Sequence, residues 1–326
     1  MSVTVIIPVY NGGAAVIRCL NSLAAQTCND FKVLIIDDGS TDSTPELIRE
    51  FRDSHPGMRL EICSRKNRGV AETRNDGIGK TETEYLTFID QDDEVTADYL
   101  AVYLQAIRES GADIICGGYL RVHPETNKVL RQVSPGNESW AKFVVTAPWA
   151  HLYRTDFLKQ NDIRFLKTAI GEDLYFTLMA YARTKKIVTI GNTGYHWMDN
   201  PESHSNSRQK QVREDVDPFV LLEALRKNLP KDREISEEEL QYFLYRYVVW
   251  YLLFTLRGTE REVWKGQYRR LIAWLREVVP GFEKNRMISL FGPKGEPIGI
   301  RAAVWSVNVL YRLGIAETVL GWFCKR

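Results

Sequence analysis

Cysteine is sparse and unpatterned in this chain. The five cysteines, Cys19, Cys28, Cys63, Cys116 and Cys324, contain no Cys-x-x-Cys pair. An odd, scattered set excludes a disulfide framework and reads as reduced thiols of a cytosolic protein. Long hydrophobic runs are lacking as well. None reaches the roughly 18 residues of a membrane span, and Val3–Val9 is too short for a signal core and has no basic segment before it. A surplus of one charge is also missing. The net charge is +1, so composition gives no case for a nucleic-acid partner. Internal repeats and low-complexity linkers are absent. What remains is a globular composition, 44% hydrophobic and 26% charged over 326 residues. That is enough for one large core with an appendage, or for two domains.

Two phosphate-binding motifs are missing in turn. No Gly-x-Gly-x-x-Gly follows the first predicted strand, which argues against a dinucleotide fold. Arg74–Thr81 superficially resembles a P-loop, but Arg74 stands where the first glycine is required and the segment precedes a strand instead of following one. Phosphates bound by this chain would therefore be held by a metal ion and by side chains.

The positive signal is an alternation of strands and helices. Short β-branched or apolar runs at Val3–Ile7, Lys32–Ile36, Arg59–Cys63, Tyr85–Ile89 and Asp113–Cys116 read as strands. Between them lie helical patterns: Val16, Ile17, Leu20, Leu23 and Ala24 share one face, as do Leu47, Ile48 and Phe51 after a predicted Thr44 cap. Helices are also predicted near Val70–Ile78 and Ala97–Ser110. Such β-α-β units imply a mostly parallel sheet with right-handed crossovers, and such sheets bind ligands beyond the carboxyl ends of their strands. Three polar clusters occupy those ends: Pro8 to Asn11, Asp37 to Ser40, and Asp90 to Asp93.

The last cluster is the most informative. Asp90, Asp92 and Asp93 gather like charge at a strand end, which is unfavourable unless something neutralises it. Hard oxygen ligands suit Mg²⁺ or Mn²⁺, which complete their shells with water and substrate phosphates. A solvated turn before the next helix is the competing reading of the Asp-x-Asp alone. Further on, Tyr119–Val122 and Lys128–Val133 alternate around a turn and read as a hairpin. An aromatic and basic run, 147–154, contains Trp149 and His151. Gly171-Glu-Asp173 opens a helix, Ile187–Ile190 reads as a strand, and 195–207 reads as a polar loop carrying His196 and His204.

Taken together, Val5-Ile-Ile-Pro-Val-Tyr-Asn11, Asp37-Asp-Gly-Ser-Thr-Asp42, Asn67-Arg-Gly-Val-Ala-Glu-Thr-Arg-Asn75, Asp90-Gln-Asp-Asp93 and Gly171-Glu-Asp173 occur in family order. The chain resembles the GT-A family 2 glycosyltransferases, in particular non-processive bacterial enzymes of polysaccharide and cell-wall assembly. The resemblance covers about residues 1 to 207. It implies a GT-A, Rossmann-like, mostly parallel sheet with helices on both faces. It also implies an inverting, metal-dependent transfer of sugar from a nucleotide donor, a UDP-sugar by expectation, to a glycan or polyprenyl-linked acceptor. Pro8, Val9, Tyr10 and Asn11 would line the nucleobase side and Asp38 would meet the uracil edge. Arg74 would lie near the nucleotide and Asp90 would support the acid cluster. Asp92 and Asp93 would face the ribose and the metal-bound diphosphate, with Mn²⁺ or Mg²⁺ as cofactor. Asp173 would be the general base. Trp149, His151, Glu172, His196 and His204 are candidates for the acceptor side. His151 stands where similar enzymes often carry lysine. The Gln-x-x-Arg-Trp motif of processive members is missing, which argues against polymerising a long chain.

From about residue 208 the chain reads as mainly helical. This gives an expected division into a catalytic domain, 1–207, and a helical region, 208–326. Ser236-Glu-Glu-Glu239 is a capping box, a helix is read over Lys265–Val279, and Ile300–Lys325 is apolar with scattered charges. Basic and aromatic residues beside apolar faces suggest either a helix lying on the inner face of a membrane or a homodimer contact. Two other functions fit parts of the pattern. A sugar-1-phosphate nucleotidylyltransferase shares such a sheet, but it calls for a basic, glycine-rich loop after strand one, and no basic residue precedes Arg18. A non-catalytic nucleotide-sugar-binding assembly partner would bind donor without turnover.

Overall fold

The computed structural model describes residues 1–200 and 216–324. One compact unit comprises Met1–Asn137, Lys142–Asp199 and Pro218–Glu234. A second takes in Glu138–Ala141 and the described residues from Ile235 onward. The expected division at 207 falls outside the described residues, as does His204.

The first unit is built on a seven-stranded sheet. Its strands are β1 (Val3–Val9), β2 (Phe31–Asp37), β3 (Leu60–Ser64), β4 (Tyr85–Phe88), β6 (Ile114–Cys116), β9 (His151–Arg154) and β10 (Ile187–Thr189). A smaller sheet holds β5 (Glu94–Val95), β7 (Tyr119–Val122), β8 (Val129–Val133) and β11 (Tyr195–Met198). The large sheet runs β10-β6-β9-β4-β1-β2-β3. Strand β1 lies parallel to β2 and β4, β2 to β3, and β6 to β10; β9 alone is antiparallel to its neighbours. The sheet is therefore mostly parallel, as expected.

Helices cover both faces because β1 is apolar on both. Val3, Val5, Ile7 and Val9 pack with Val16, Leu20 and Leu23 of α1 (Gly13–Ala24), Ile48 of α2 (Thr44–Ser54) and Leu100 and Leu104 of α4 (Tyr99–Ser110). Ile6 points the other way, onto α3 (Val70–Lys80). A Cβ on Gly77 of α3 would sit 2.5 Å from Ile6 Cγ2, so only glycine lets that helix lie so close to the strand. Phe88 on this same side meets Phe165 and Phe176 edge-on, and those two rings stack at 4.0 Å. Helices α5 (Thr155–Gln160) and α6 (Glu172–Arg183) complete the layer.

Three local readings change. Helix α2 begins at Thr44, preceded by Ser43, because the Thr44 hydroxyl accepts from Gly13 N–H at 2.8 Å instead of capping its own helix. The aromatic and basic run contains a strand, β9, inserted between β4 and β6. Tyr195–Met198, read as loop, is strand β11 paired parallel to β7. Its polar flanks hide the pattern, but Tyr195 and Met198 are both buried.

In the second unit the capping box at Ser236 and Glu239 is formed reciprocally and opens helix Glu237–Trp250. That helix continues into a π-helical stretch, Tyr251–Thr255. Helices Arg261–Val278, Ile298–Arg312 and Ala316–Phe323 follow. Glu296 is buried, accepting from Trp140 Nε1 at 2.8 Å and paired with Arg246 at 3.0 Å.

Candidate active site

The carboxyl ends of β1, β2 and β4 lie side by side, and their turns are tied together by side chains. Pro8 and Val9 are buried within β1, paired with Ile36 and Asp37 of β2. The chain leaves the strand at Tyr10, which is exposed, and Asn11, whose φ is 48°. Asparagine tolerates this left-handed conformation because its side chain can bond locally. Here Asn11 Oδ1 accepts from Thr41 N–H at 2.8 Å, while Asn11 N–H donates to Ser40 Oγ at 2.9 Å. Gln91 makes the second tie. Its Oε1 accepts from Tyr10 N–H at 3.0 Å and its Nε2 donates to Tyr10 O at 3.1 Å. A glutamine side chain thus completes a strand-like pair of bonds with the first turn. Sequence reasoning passed over Gln91, which is recognisable only through a contact 81 residues away.

Asp38 differs from expectation. It is buried, and its carboxylate accepts from Arg65 Nε at 2.8 Å, Arg68 N–H at 3.0 Å and Gly69 N–H at 2.7 Å. Both oxygens are engaged in folding the 65–69 loop, so Asp38 shapes that loop and presents no open edge to a base. Arg65 also holds Asp76, and donates to Thr73 Oγ1 at 2.8 Å.

The three carboxylates after β4 have three different environments. Asp93 is turned inward, 1% exposed, accepting from Tyr195 OH at 2.5 Å and from Met198 N–H at 2.9 Å. Burial, and then the charges of Asp92 and Asp90, push its carboxyl well above the usual carboxylate range. The expectation that Asp93 faces a metal is thereby corrected: its oxygens join the acid turn to β11. Asp92 is half-buried at the head of the turn. Asp90 accepts from Arg74 at 2.7 Å.

Arg74 links this turn to the candidate base. Its guanidinium spans Asp90 and Asp173, the latter at 2.6 Å, and lies 5.3 Å from the centre of the Phe165 ring. Burial would lower the Arg74 pKa, but Asp173 and Asp90 outweigh it and hold the guanidinium charged. Its buried Nε has no protein partner. Asp173 is the second residue of α6, which starts after Gly171 in the left-handed region. Its side chain remains 33% exposed. Burial raises its carboxyl to about 7; Arg74 opposes the shift, and Glu172 and Asp90 add to it. Glu172, half-buried, opens the same helix turn.

The remaining candidates separate. Trp149 is packed inside, stacked on Tyr195 at 4.6 Å and edge-on to Tyr119 at 5.0 Å. His151 is a core residue of β9, corrected from the acceptor side. Its Nδ1 meets Trp149 O at 2.8 Å and its Nε2 meets Tyr181 OH at 2.7 Å. Burial lowers its pKa to about 4, so it is neutral at physiological pH. His196 is half-buried on β11 opposite Glu94; burial lowers its pKa and Glu94 opposes that.

Among the described residues no cluster of three or more His, Cys, Asp or Glu is arranged to hold a metal by protein ligands alone. Mg²⁺ and Mn²⁺ need no such cage, taking one or two carboxylates plus substrate phosphates. The hard oxygens of Asp90 and Asp92 fit that mode.

The model of the family described as Glycosyl transferase family 2 matches residues 4–171. Glycosyltransferase GlyA of Streptococcus pneumoniae is 28% identical over 211 residues, covering 59% of this chain and 30% of its own length. The poly(ribitol-phosphate) beta-N-acetylglucosaminyltransferase TarS of Staphylococcus aureus is 28% identical over 253 residues, covering 73% of this chain and 43% of its own. This chain thus spans less than half the length of these curated relatives. The crystal structure of S. aureus TarS 1-349 in complex with UDP-GlcNAc shares the fold, with a TM-score of 0.71 at 23% identity over 96% of this chain and 92% of that one.

Proposed function

The chain belongs to glycosyl transferase family 2, and from that membership we propose that it transfers a sugar, with inversion, from a uridine-diphosphate donor to a hydroxyl of a glycan or polyprenyl-linked acceptor. The observation that carries this reading is the Arg74 bridge. It sets a carboxylate with a pKa of about 7 next to the acid turn at the sheet's carboxyl edge. A general base works best with a pKa near the operating pH. The acceptor oxygen attacks the anomeric carbon and its proton passes to Asp173. The bond to the diphosphate oxygen breaks, and its electron pair stays on that oxygen. Attack and departure on opposite faces invert the anomeric centre. Asp90 and Asp92 would hold Mn²⁺ or Mg²⁺ against the donor diphosphate, and the bound ion supplies charge neutralisation to the leaving group.

The relatives add support for the donor and acceptor classes. TarS was crystallised with UDP-GlcNAc, and its name specifies a poly(ribitol-phosphate) acceptor, so a cell-wall or surface polymer is the acceptor type we favour. Five free cysteines suit a reducing, cytoplasmic setting.

The test is release of nucleoside diphosphate from a panel of sugar nucleotides, with Mn²⁺ and with chelator, for the native chain and Asp173→Asn. Turnover of one donor that both chelator and the substitution abolish supports the proposal. Donor binding without turnover, on every acceptor preparation and unaltered by the substitution, would favour a binding partner over an enzyme.

A further inference from the structure

We infer that Asn75 is a positioning residue for Asp173, clamping the segment against which both Arg74 and the base-bearing helix rest. The inference takes from the proposed function the reading of Asp173 as the base. Asn75 closes the Asn67–Asn75 motif, and no step of the proposed reaction uses it.

Asn75 follows Arg74 on α3 and reaches the chain that leads into α6. Its Oδ1 accepts from Phe165 N–H at 2.8 Å and its Nδ2 donates to Phe165 O at 2.9 Å. An asparagine carboxamide presents acceptor and donor in the layout of a peptide group, so this pair of bonds stands in for one rung of a sheet. Residues 161–171, between α5 and α6, contain neither helix nor strand. Buried peptide groups need partners. Phe165, 4% exposed, obtains both of its own from Asn75.

The Phe165 ring carries the clamp to the site. It lies 5.3 Å from the Arg74 guanidinium and stacks on Phe176 at 4.0 Å. Phe176 comes three residues after Asp173 on α6, so the two are neighbours along one side of that helix. Arg74 in turn donates to Asp173 at 2.6 Å. The contacts close a circuit, from Asn75 to Phe165, to Phe176, along α6 to Asp173, and through Arg74 back to α3. The salt bridge alone fixes one distance between two helices, and the second tie limits rotation about it.

The titratable and charged groups around Asp173 are Arg74 on α3, Glu172 beside it, Asp90 after β4 and Tyr153 on β9. Arg74 is the cation among them. A guanidinium that loses its alignment leaves a carboxylate that keeps its proton to higher pH.

The experiment is a pH titration, followed by carbon-13 NMR, of the full chain labelled at its aspartate carboxyls. Native protein, Asn75→Ala and Asn75→Gln are compared, with the Asp173 signal assigned by Asp173→Asn. It is paired with a double-mutant cycle of kcat between Asn75→Ala and Arg74→Lys. We expect the Asp173 midpoint to lie above the native one in both Asn75 variants. In Asn75→Ala kcat should fall about tenfold with donor KM near native. In the Arg74→Lys background the same substitution should cost less than about twofold, because residues acting through one contact do not add. Asn75→Gln keeps the amide on a longer stem and carries the titration alone if Asn75→Ala does not fold. An Asp173 midpoint unmoved in both variants, or losses in kcat that multiply in the double variant, overturns the inference. A lower urea midpoint with the Asp173 titration unmoved reduces Asn75 to a fold contact and overturns it as well. The titration needs no turnover. A native chain that consumes no donor, with the midpoint still moved, sinks the transferase reading and supports the hold of Asn75 on Asp173.

Discussion

Arg74 donates to Asp173 at 2.6 Å across 99 residues of chain, joining the first half of α3 to the first turn of α6. The same guanidinium holds Asp90 at 2.7 Å. Arginine presents its donors in a planar fork, so one side chain can serve two carboxylates, and a lysine reaches only one. Arg74→Lys should therefore lower kcat by about a hundredfold, the scale at which a small displacement of a catalytic group is felt. The acid limb of the pH–rate profile tests the coupling. In the native chain activity should fall below about pH 7 as Asp173 takes up its proton. Weakening the cation beside a carboxylate raises that carboxylate's pKa, so in the variant the limb should move to higher pH. A limb that stays in place would detach Arg74 from the base.

Asp92 and Asp93 should respond oppositely to substitution. Asp92→Asn is expected to weaken Mn²⁺ binding in the presence of UDP by about tenfold or more. Asp93→Ala leaves Tyr195 OH and Met198 N–H without their acceptor. At roughly 1–3 kcal/mol for each buried polar group left unpaired, the loss should appear in urea unfolding. Calorimetric titration of Mn²⁺ and denaturant curves on both variants separate the two roles.

Gln91→Ala removes both bonds to the Tyr10 backbone. Each contributes about 1 kcal/mol, so UDP affinity measured by calorimetry should fall roughly tenfold, while kcat at saturating donor stays close to native. An equal loss in kcat with affinity preserved would place Gln91 in the chemistry and not in holding the turn.

His151 predicts an acid-sensitive core. It is fully buried, with its pKa lowered to about 4 from 6.5. Between those values the unfolded chain binds a proton that the folded chain refuses. Stability is therefore complete above about pH 6.5 and declines as pH falls towards 4, by roughly 3 kcal/mol in total. His151→Gln, which keeps a hydrogen-bonding side chain without titrating, should lack this part of the slope when unfolding is followed by fluorescence from pH 7.5 to 4.

The legible part of the site was its location. Apolar runs ending in Asp37, Asp90 and the Pro8–Asn11 turn placed three polar clusters on one sheet edge through strand periodicity alone. The direction of each side chain was not legible. Asp92 and Asp93 are neighbours of one type, yet the second is drawn inward by Tyr195, a residue distant in sequence whose own strand was masked by polar neighbours. Asp38 likewise reads as an open acid until the backbone N–H groups of Arg68 and Gly69 are seen to converge on it. His151 reads as an acceptor-side candidate because it sits in an aromatic and basic run where similar enzymes often carry lysine. Antiparallel insertion of β9 between β4 and β6 puts it in the core, an arrangement that local pattern does not encode.

The convergence on Asp38 has a thermodynamic consequence. A loop that becomes ordered only when its ligand arrives costs about 1–2 kcal/mol for each backbone residue fixed. Here residues 65–69 are already fixed by one carboxylate and by Arg65. A nucleotide bound at this edge, as the proposed function has it, would pay no ordering penalty for this loop, and its heat-capacity change would report the ligand surface that is buried and not the folding of a loop.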